Sequence, residues 1–258
     1  MGRKWVKLFI SIIGISIILC GCDNKNNSIE VNGISLVKQV KTQNFIFYSA
    51  DKDKKCIDDL SKELEDNQKT ITNKLKVKID DKIKVQIYPD IKSLHVAMNI
   101  ADANNSIVGT GWGNELKIVT PLNPGTIHNY DSVKKVLVHE FTHVVISKIN
   151  NNINEIPAWL NEGIATYEAK QVNEKAREFI KQKVGENKIP SFENITKGFN
   201  TPDGSHIFSY TIAEFLVNKY GYDRIIDILK TPKDLEKILD VSIYEFEKQW
   251  VSYLKENY

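Results

Sequence analysis

Residues 138–143 read VHEFTH and hold two of the chain's five histidines. His139 and His143 stand four apart, so on an α-helix they share one face, one turn from each other. Two imidazoles stacked in this way aim ring nitrogens at one point, an arrangement that suits a tetrahedral zinc ion. Glu140 follows the first histidine and would flank such an ion rather than crowd it. From there a carboxylate can take a proton from a zinc-bound water, the work of a general base in a hydrolase. Between residues 136 and 146 only His139, Glu140, Thr142 and His143 interrupt an apolar stretch. A helix this apolar is buried, and its polar groups need partners. A metal ion supplies one.

Two histidines and a water leave zinc one protein ligand short. Glu155, Glu162 and Glu168 are the acids that follow at a suitable distance. Glu155 precedes Pro157, where the chain is less rigid, and Glu168 lies further along the next helix. Glu162 is preferred. Eighteen residues separate it from His143, enough to leave one helix, turn and start a second. Its neighbours Trp159, Leu160, Ile164 and Ala165 argue that this second helix packs inward.

HEFTH, eighteen residues and the glutamate of WLNEGIA together resemble the gluzincin zinc metallopeptidases, both the aminopeptidase branch and the bacterial peptidase MA-like domains. The similarity runs from about residue 105 to 222. It implies that His139, His143 and Glu162 hold one Zn2+ and that Glu140 is base and proton shuttle. It also implies a twisted sheet and a set of helices on either side of an active-site cleft. In such enzymes an edge strand before the metal helix pairs with the backbone of the substrate. GTGWGNELKIV occupies that place, which makes Gly111, Trp112 and Gly113 candidate substrate-binding residues, since glycines allow close backbone approach. SHIFSYTIAEFLVNKYG, residues 205–221, resembles the later helix of peptidase MA-like domains. There a tyrosine can donate to the tetrahedral oxyanion. Tyr210 matches best, with His206 an alternative one turn earlier. Thr166, one turn after Glu162, is a candidate to orient a ligating histidine. The aminopeptidase branch carries G-x-M-E-N on its strand, and its glutamate binds the free amine of the substrate. Gly111-Trp112-Gly113-Asn114-Glu115 stands here instead, which leans the reading toward an endopeptidase while endo- and exopeptidase action both stay open.

Periodicity supplies the elements that must position these residues. Residues 44–50 and 82–90 read as strands. Apolar residues recurring through 55–76 read as an amphipathic helix, with a short helix at 91–99. Residues 106–121 read as two strands about Gly113-Asn114, a turn-prone pair. From 131 onward the pattern is helical. Asp131 or Ser132 caps the motif helix, and Pro157 opens the next. A helix follows at 173–185, then a loop at 186–204, then helices near 206–220, 222–230, 232–238 and 241–256. The expected fold is α+β: a small twisted mixed sheet with its helices over 36–130, then a mostly helical part over 131–258, together one zincin-like catalytic domain.

The first 21 residues carry three basic residues and no acid, and lead into an apolar run at 8–20. That run is short for a membrane span and fits a signal peptide. Leu19-Cys20-Gly21-Cys22 resembles the bacterial lipobox, which implies cleavage before Cys22 and lipid on its sulfur. Residues 22–35, opening with the polar CDNKNNS, read as a flexible tether. The expected location is therefore the extracytoplasmic face of a cell membrane, through a lipid anchor. Cys56 is left without a disulfide partner and reads as packed or idle. The net charge of +2 becomes near neutral without the signal segment, so nothing in the balance asks for nucleic acid. The expected partners are a peptide or protein substrate and the membrane, with the chain a monomer. A non-catalytic zinc-containing binding lipoprotein is the competing reading, against which Glu140 speaks because structural zinc needs no base. A zinc-carrying solute-binding lipoprotein is a third, but it would be expected to carry a histidine-rich loop, and the chain has none.

Overall fold

β4 (Ile83–Tyr88) lies inside a six-stranded sheet, β1-β2-β3-β4-β6-β5, whose direction changes across its width. The computed structural model describes residues 27–198 and 204–258. The expected signal segment and Cys22 lie outside the described residues, as do positions 199–203 of the expected loop. β3 (Phe45–Ser49) and β6 (Glu115–Val119) flank β4 in parallel. β5 (Gly109–Trp112) folds back antiparallel on β6 and ends the sheet. Gly113, with φ of +63°, makes the tight turn between them. The parallel pair β3 and β4 is joined by α1 (Ile57–Lys74), the crossover that parallel strands require. A 3₁₀ turn, Asp51–Cys56, leads into that helix.

Two strands precede the expected ones. β1 (Ser28–Val31) and β2 (Ile34–Lys41) form a hairpin, and β2 pairs with β3. Residues 28–31 fall within the stretch expected to be a flexible tether. Asn32 and Gly33 both have positive φ, +50° and +79°, which is the two-residue hairpin turn that an Asn-Gly pair favours. α2 (Ile91–Ala97) follows β4 and is capped by Asp90, whose side chain accepts from the Ser93 N–H.

α3 (Tyr130–Ile149) is the central helix. It starts one residue before the expected cap. Asn129 accepts from the Ser132 N–H, and the Ser132 hydroxyl accepts from the Asn129 N–H, so the cap is reciprocal. Val133, Leu137, Phe141, Val144, Val145 and Ile146 are all buried, because α3 packs against β5, β6 and α1 as well as α4 and α7. Phe141 meets Phe45 of β3 edge-on at 5.6 Å. Each such side chain contributes about 1.5–3 kcal/mol by leaving water. Pro157 stands as the cap of α4 (Ala158–Glu168) rather than its first helical residue.

Helices complete the chain: α5 (Glu174–Gly185), α6 (Phe192–Lys197), α7 (Ser205–Lys230), α8 (Leu235–Leu239) and α9 (Ile243–Asn257). α6 lies where a loop was expected. Ser191 caps it, and Phe192 anchors it against Trp159 at 5.2 Å and Phe246 at 5.3 Å. α7 covers the two expected helices 206–220 and 222–230, with a break at Gly221, whose φ of +76° is non-helical. Across that break Tyr222 donates a hydrogen bond to Glu168 at the end of α4. Lys74, at the end of α1, reaches the same carboxylate at 2.8 Å. Glu168 is buried and Lys74 partly exposed, so this half-screened ion pair ties the sheet half to the helical half. Cys56 is also buried, its thiol donating to the Asp53 carbonyl at 2.9 Å and lying 3.9 Å from the Thr120 hydroxyl just beyond β6. The architecture is α+β, a mixed sheet with its helices followed by a helical part.

Candidate active site

α3 carries both histidines of the HExxH motif on one face. Their rings meet edge-on with centroids 4.7 Å apart, and the two Nε2 atoms are 3.0 Å apart. α4 brings Glu162 to the same point. One of its oxygens lies 3.1 Å from His139 Nε2 and the other 3.5 Å from His143 Nε2. His139, His143 and Glu162 thus form a set that could hold a metal ion, with ligand atoms all within 4.8 Å of one another. Of the three acids that follow the motif, Glu162 is the one brought to the histidines. Glu168 is engaged with Lys74 and Tyr222, and Glu155 accepts from Asn152.

Electrostatics separates the two glutamates. Burial alone would raise the pKa of Glu162. When the rings carry a second proton, the charge of His143 and the hydrogen bond and charge of His139 outweigh it and hold the carboxyl at about 2. Burial pushes Glu140 up to about 7; Glu162 adds to the rise, while His143 and the Gly111 N–H oppose it. One carboxylate is therefore fixed as an anion beside the imidazoles, and the other is poised to exchange a proton near neutral pH.

The far nitrogens of both rings are occupied. His143 Nδ1–H donates to Asn161 Oδ1 at 3.0 Å, and His139 Nδ1–H donates to Gln171 Oε1 at 2.8 Å. In the neutral rings these Nδ1 protons are the ones that remain, so each Nε2 keeps a lone pair on the side of the Glu162 carboxylate. Neither amide was singled out in the sequence. The orienting role expected of Thr166 falls to them, and Thr166 takes part through its carbonyl, which accepts from the Gln171 N–H at 3.2 Å.

β5 presses on α3 from the sheet side. A Cβ on Gly111 would stand 2.1 Å from the Glu140 carbonyl oxygen, and one on Gly109 would stand 3.0 Å from Glu140 Cγ. Here the glycines make room for the motif helix itself, while Trp112 beside them is partly exposed. Gly163, next to Glu162, plays the same part between α4 and α7, since a Cβ there would lie 2.4 Å from the Ser209 carbonyl oxygen. Tyr210 follows Ser209. It is buried, its ring 5.9 Å from that of Tyr167. Its hydroxyl donates to Glu214 at 2.8 Å and accepts from Arg177 at 3.3 Å. Burial and the hydrogen bond to Glu214 push its pKa far above the ordinary tyrosine value. His206 lies exposed in the first turn of the same helix.

A family model described as the Peptidase MA superfamily matches residues 67–254, most of the chain and all of the site just described. The chain belongs to the Peptidase MA superfamily. The match starts within α1 and ends within α9, so in this Peptidase MA member it takes in three of the six strands, β4, β5 and β6, and leaves β1, β2 and β3 outside. No curated protein matches the chain. Membership in the superfamily gives a peptidase-like function.

Proposed function

We propose that this Peptidase MA member is a zinc-dependent peptidase of the gluzincin type, anchored by lipid on Cys22 at the extracytoplasmic face of a cell membrane and acting as a monomer. The observation that carries the catalytic part is the convergence of His139, His143 and Glu162 beside Glu140. With both Nδ1 protons directed outward, these three groups 3.0–3.5 Å apart are acceptors that repel one another unless a proton or a metal cation sits among them. Ligands at about 2.0–2.1 Å around a tetrahedral zinc stand about 3.3 Å from each other, so the spacing and the N,N,O donor set fit that ion. Its bound form supplies Lewis acidity, which polarises a carbonyl and acidifies a water.

The side chains account for the rest. Glu140, raised toward neutral pH by burial, takes a proton from the attacking water and returns it to the leaving amine. Tyr210 is the donor to the developing oxyanion, for which its hydroxyl has to turn from Glu214. Gly111, Trp112 and Gly113 offer the outer edge of β5 to an extended peptide, because no other strand of the sheet lies beyond β5 among the described residues. The lack of a G-x-M-E-N strand favours a cut within a peptide over removal of its first residue. The anchor rests on the Leu19-Cys20-Gly21-Cys22 sequence, and no helix among the described residues is long and apolar enough to cross a membrane.

Glu140→Gln tests the reading directly, since it keeps size and removes the proton acceptor. The variant should retain its zinc and lose hydrolysis of a peptide library by a factor on the order of 10² or more. Equal hydrolysis by the two zinc-loaded proteins would refute the role of Glu140. A wild type that binds zinc and cleaves nothing would favour a binding lipoprotein.

A further inference from the structure

We propose that Gln171 is a positioning residue that makes His139 a metal ligand, an inference that rests on the zinc reading above. A neutral imidazole carries one proton. His139 can offer its Nε2 to an ion only if that proton sits on Nδ1. Two acceptors compete for it: Glu162 beside Nε2 at 3.1 Å and Gln171 beside Nδ1 at 2.8 Å. Gln171 gives the proton a place on the far side of the ring, away from the metal position.

The backbone that delivers this side chain is built for one direction. α4 ends in a turn in which the Gln171 N–H bonds the Thr166 carbonyl and the Lys170 N–H bonds the Tyr167 carbonyl, both at 3.2 Å. This pair of bonds is the Schellman ending, and its left-handed position is usually a glycine. Lys170 fills it with φ of +50°. The turn reverses the chain and sends residue 171 back toward α3. A second contact pins it there, because Lys135 donates to the Lys170 carbonyl at 3.0 Å. Lys135 lies one helical turn before His139, so the turn is tied to α3 next to the ring that it serves. In a Schellman ending the residue at position 171 often packs an apolar side chain on the helix. Here it is an amide that reaches a ligand instead. Asn161 differs in kind: it lies within α4, is buried, and holds His143 from inside a helix.

The test is zinc affinity, measured by competition with a chelator on the intact protein, together with the proton spectrum of the ligating rings. Gln171→Leu removes the acceptor and keeps the bulk; it should weaken zinc about 10–100-fold, the usual effect of losing an outer partner. Gln171→Glu keeps an oxygen acceptor and should bind zinc at least as tightly as wild type. In the zinc-loaded wild type, the Nδ1 protons of both His139 and His143 should exchange slowly with solvent. In Gln171→Leu only the His139 proton should be lost. Gln171 is only partly buried, so both variants should melt near the wild-type temperature. Wild-type affinity in Gln171→Leu would overturn the role of Gln171 while leaving the zinc site standing. Equal losses in the Leu and Glu variants would overturn it too, since side-chain shape rather than the acceptor would then matter. A wild type that takes no zinc would overturn both readings.

Discussion

The site has two walls, and both are pressed against its helices at points where a Cβ cannot fit. On the sheet side Gly111 of β5 meets the Glu140 carbonyl, and on the helix side Gly163 of α4 meets the Ser209 carbonyl. The walls differ in what lies behind them. α4 is backed by α7 and tied by Glu168 to Lys74 and Tyr222, and it carries Glu162, Asn161 and the turn to Gln171. β5 is the last strand of its sheet, with no further strand beyond it among the described residues. Close packing on α4 is enclosed by further helices, and close packing on β5 leaves the far side of the strand uncovered by the sheet. Most of α4 is buried, whereas three of the four residues of β5 are partly exposed.

That division can be broken by experiment. Glu162→Ala removes a ligand from the rigid wall, so zinc affinity should fall by more than the about 10–100-fold expected for an outer partner. Trp112→Ala on the open wall should leave affinity unchanged and raise KM in a peptide assay. A zinc loss in both, seen by chelator competition, would erase the distinction. The glycines come next. Gly111→Ala and Gly163→Ala both force backbones apart, at the upper end of the about 1–3 kcal/mol that overpacking costs. Melting should drop by about 6–12 °C in each.

Glu140 stands between the walls, and a smaller effect is expected there in the metal-free chain. Its folded pKa of about 7 lies above the ordinary glutamate value, so the folded state binds its proton more tightly than the unfolded state does. Stability from this source is present in full below about pH 4.5 and is lost as pH rises through 7. Glu140→Gln should therefore melt higher than wild type above pH 7, by on the order of 2–3 kcal/mol, with the gain vanishing in acid. A constant difference across pH would contradict the burial of that carboxyl. Gly113→Ala is the mildest change. Nothing lies within 4 Å of a Cβ there, so only the positive φ resists it. It should cost about 1–2 kcal/mol and lower melting by about 2–8 °C.

Much of the site was legible because its geometry is local. His139 and His143 share a face by helical period alone, and Glu162 follows at a distance that one turn between helices allows. The glycines of β5 signalled close approach, although the backbone that comes close is α3. Asn161 and Gln171 were not legible, since which side chain reaches an imidazole depends on how α4 docks on α3. The turn that aims Gln171 uses Lys170 in place of a glycine, so the usual mark of a helix end is missing. Glu214 was within reach of reading, four residues after Tyr210 on one helix face. In the fold, the Asn32-Gly33 turn was masked by the polar stretch before it, and α6 by Pro190 and Gly198 at its ends. Both elements are short and stand only because they pair with or pack on longer ones.

Cys56 gives the sheet layer a built-in reporter. Burial pushes its thiol up to about 11, against the pull of Thr120, so almost none of it is thiolate near neutral pH. The thiolate is the species that oxidants and alkylating reagents attack. Cys56 is therefore inert while the turn before α1 stays packed over the end of β6, and reacts when that layer parts. Alkylation followed at residue 56 by mass spectrometry then counts openings of the sheet from its helix. Cutting the tie from Lys74 to Glu168 should make them more frequent, which turns a buried thiol into a gauge of how firmly the two halves of the protein are joined.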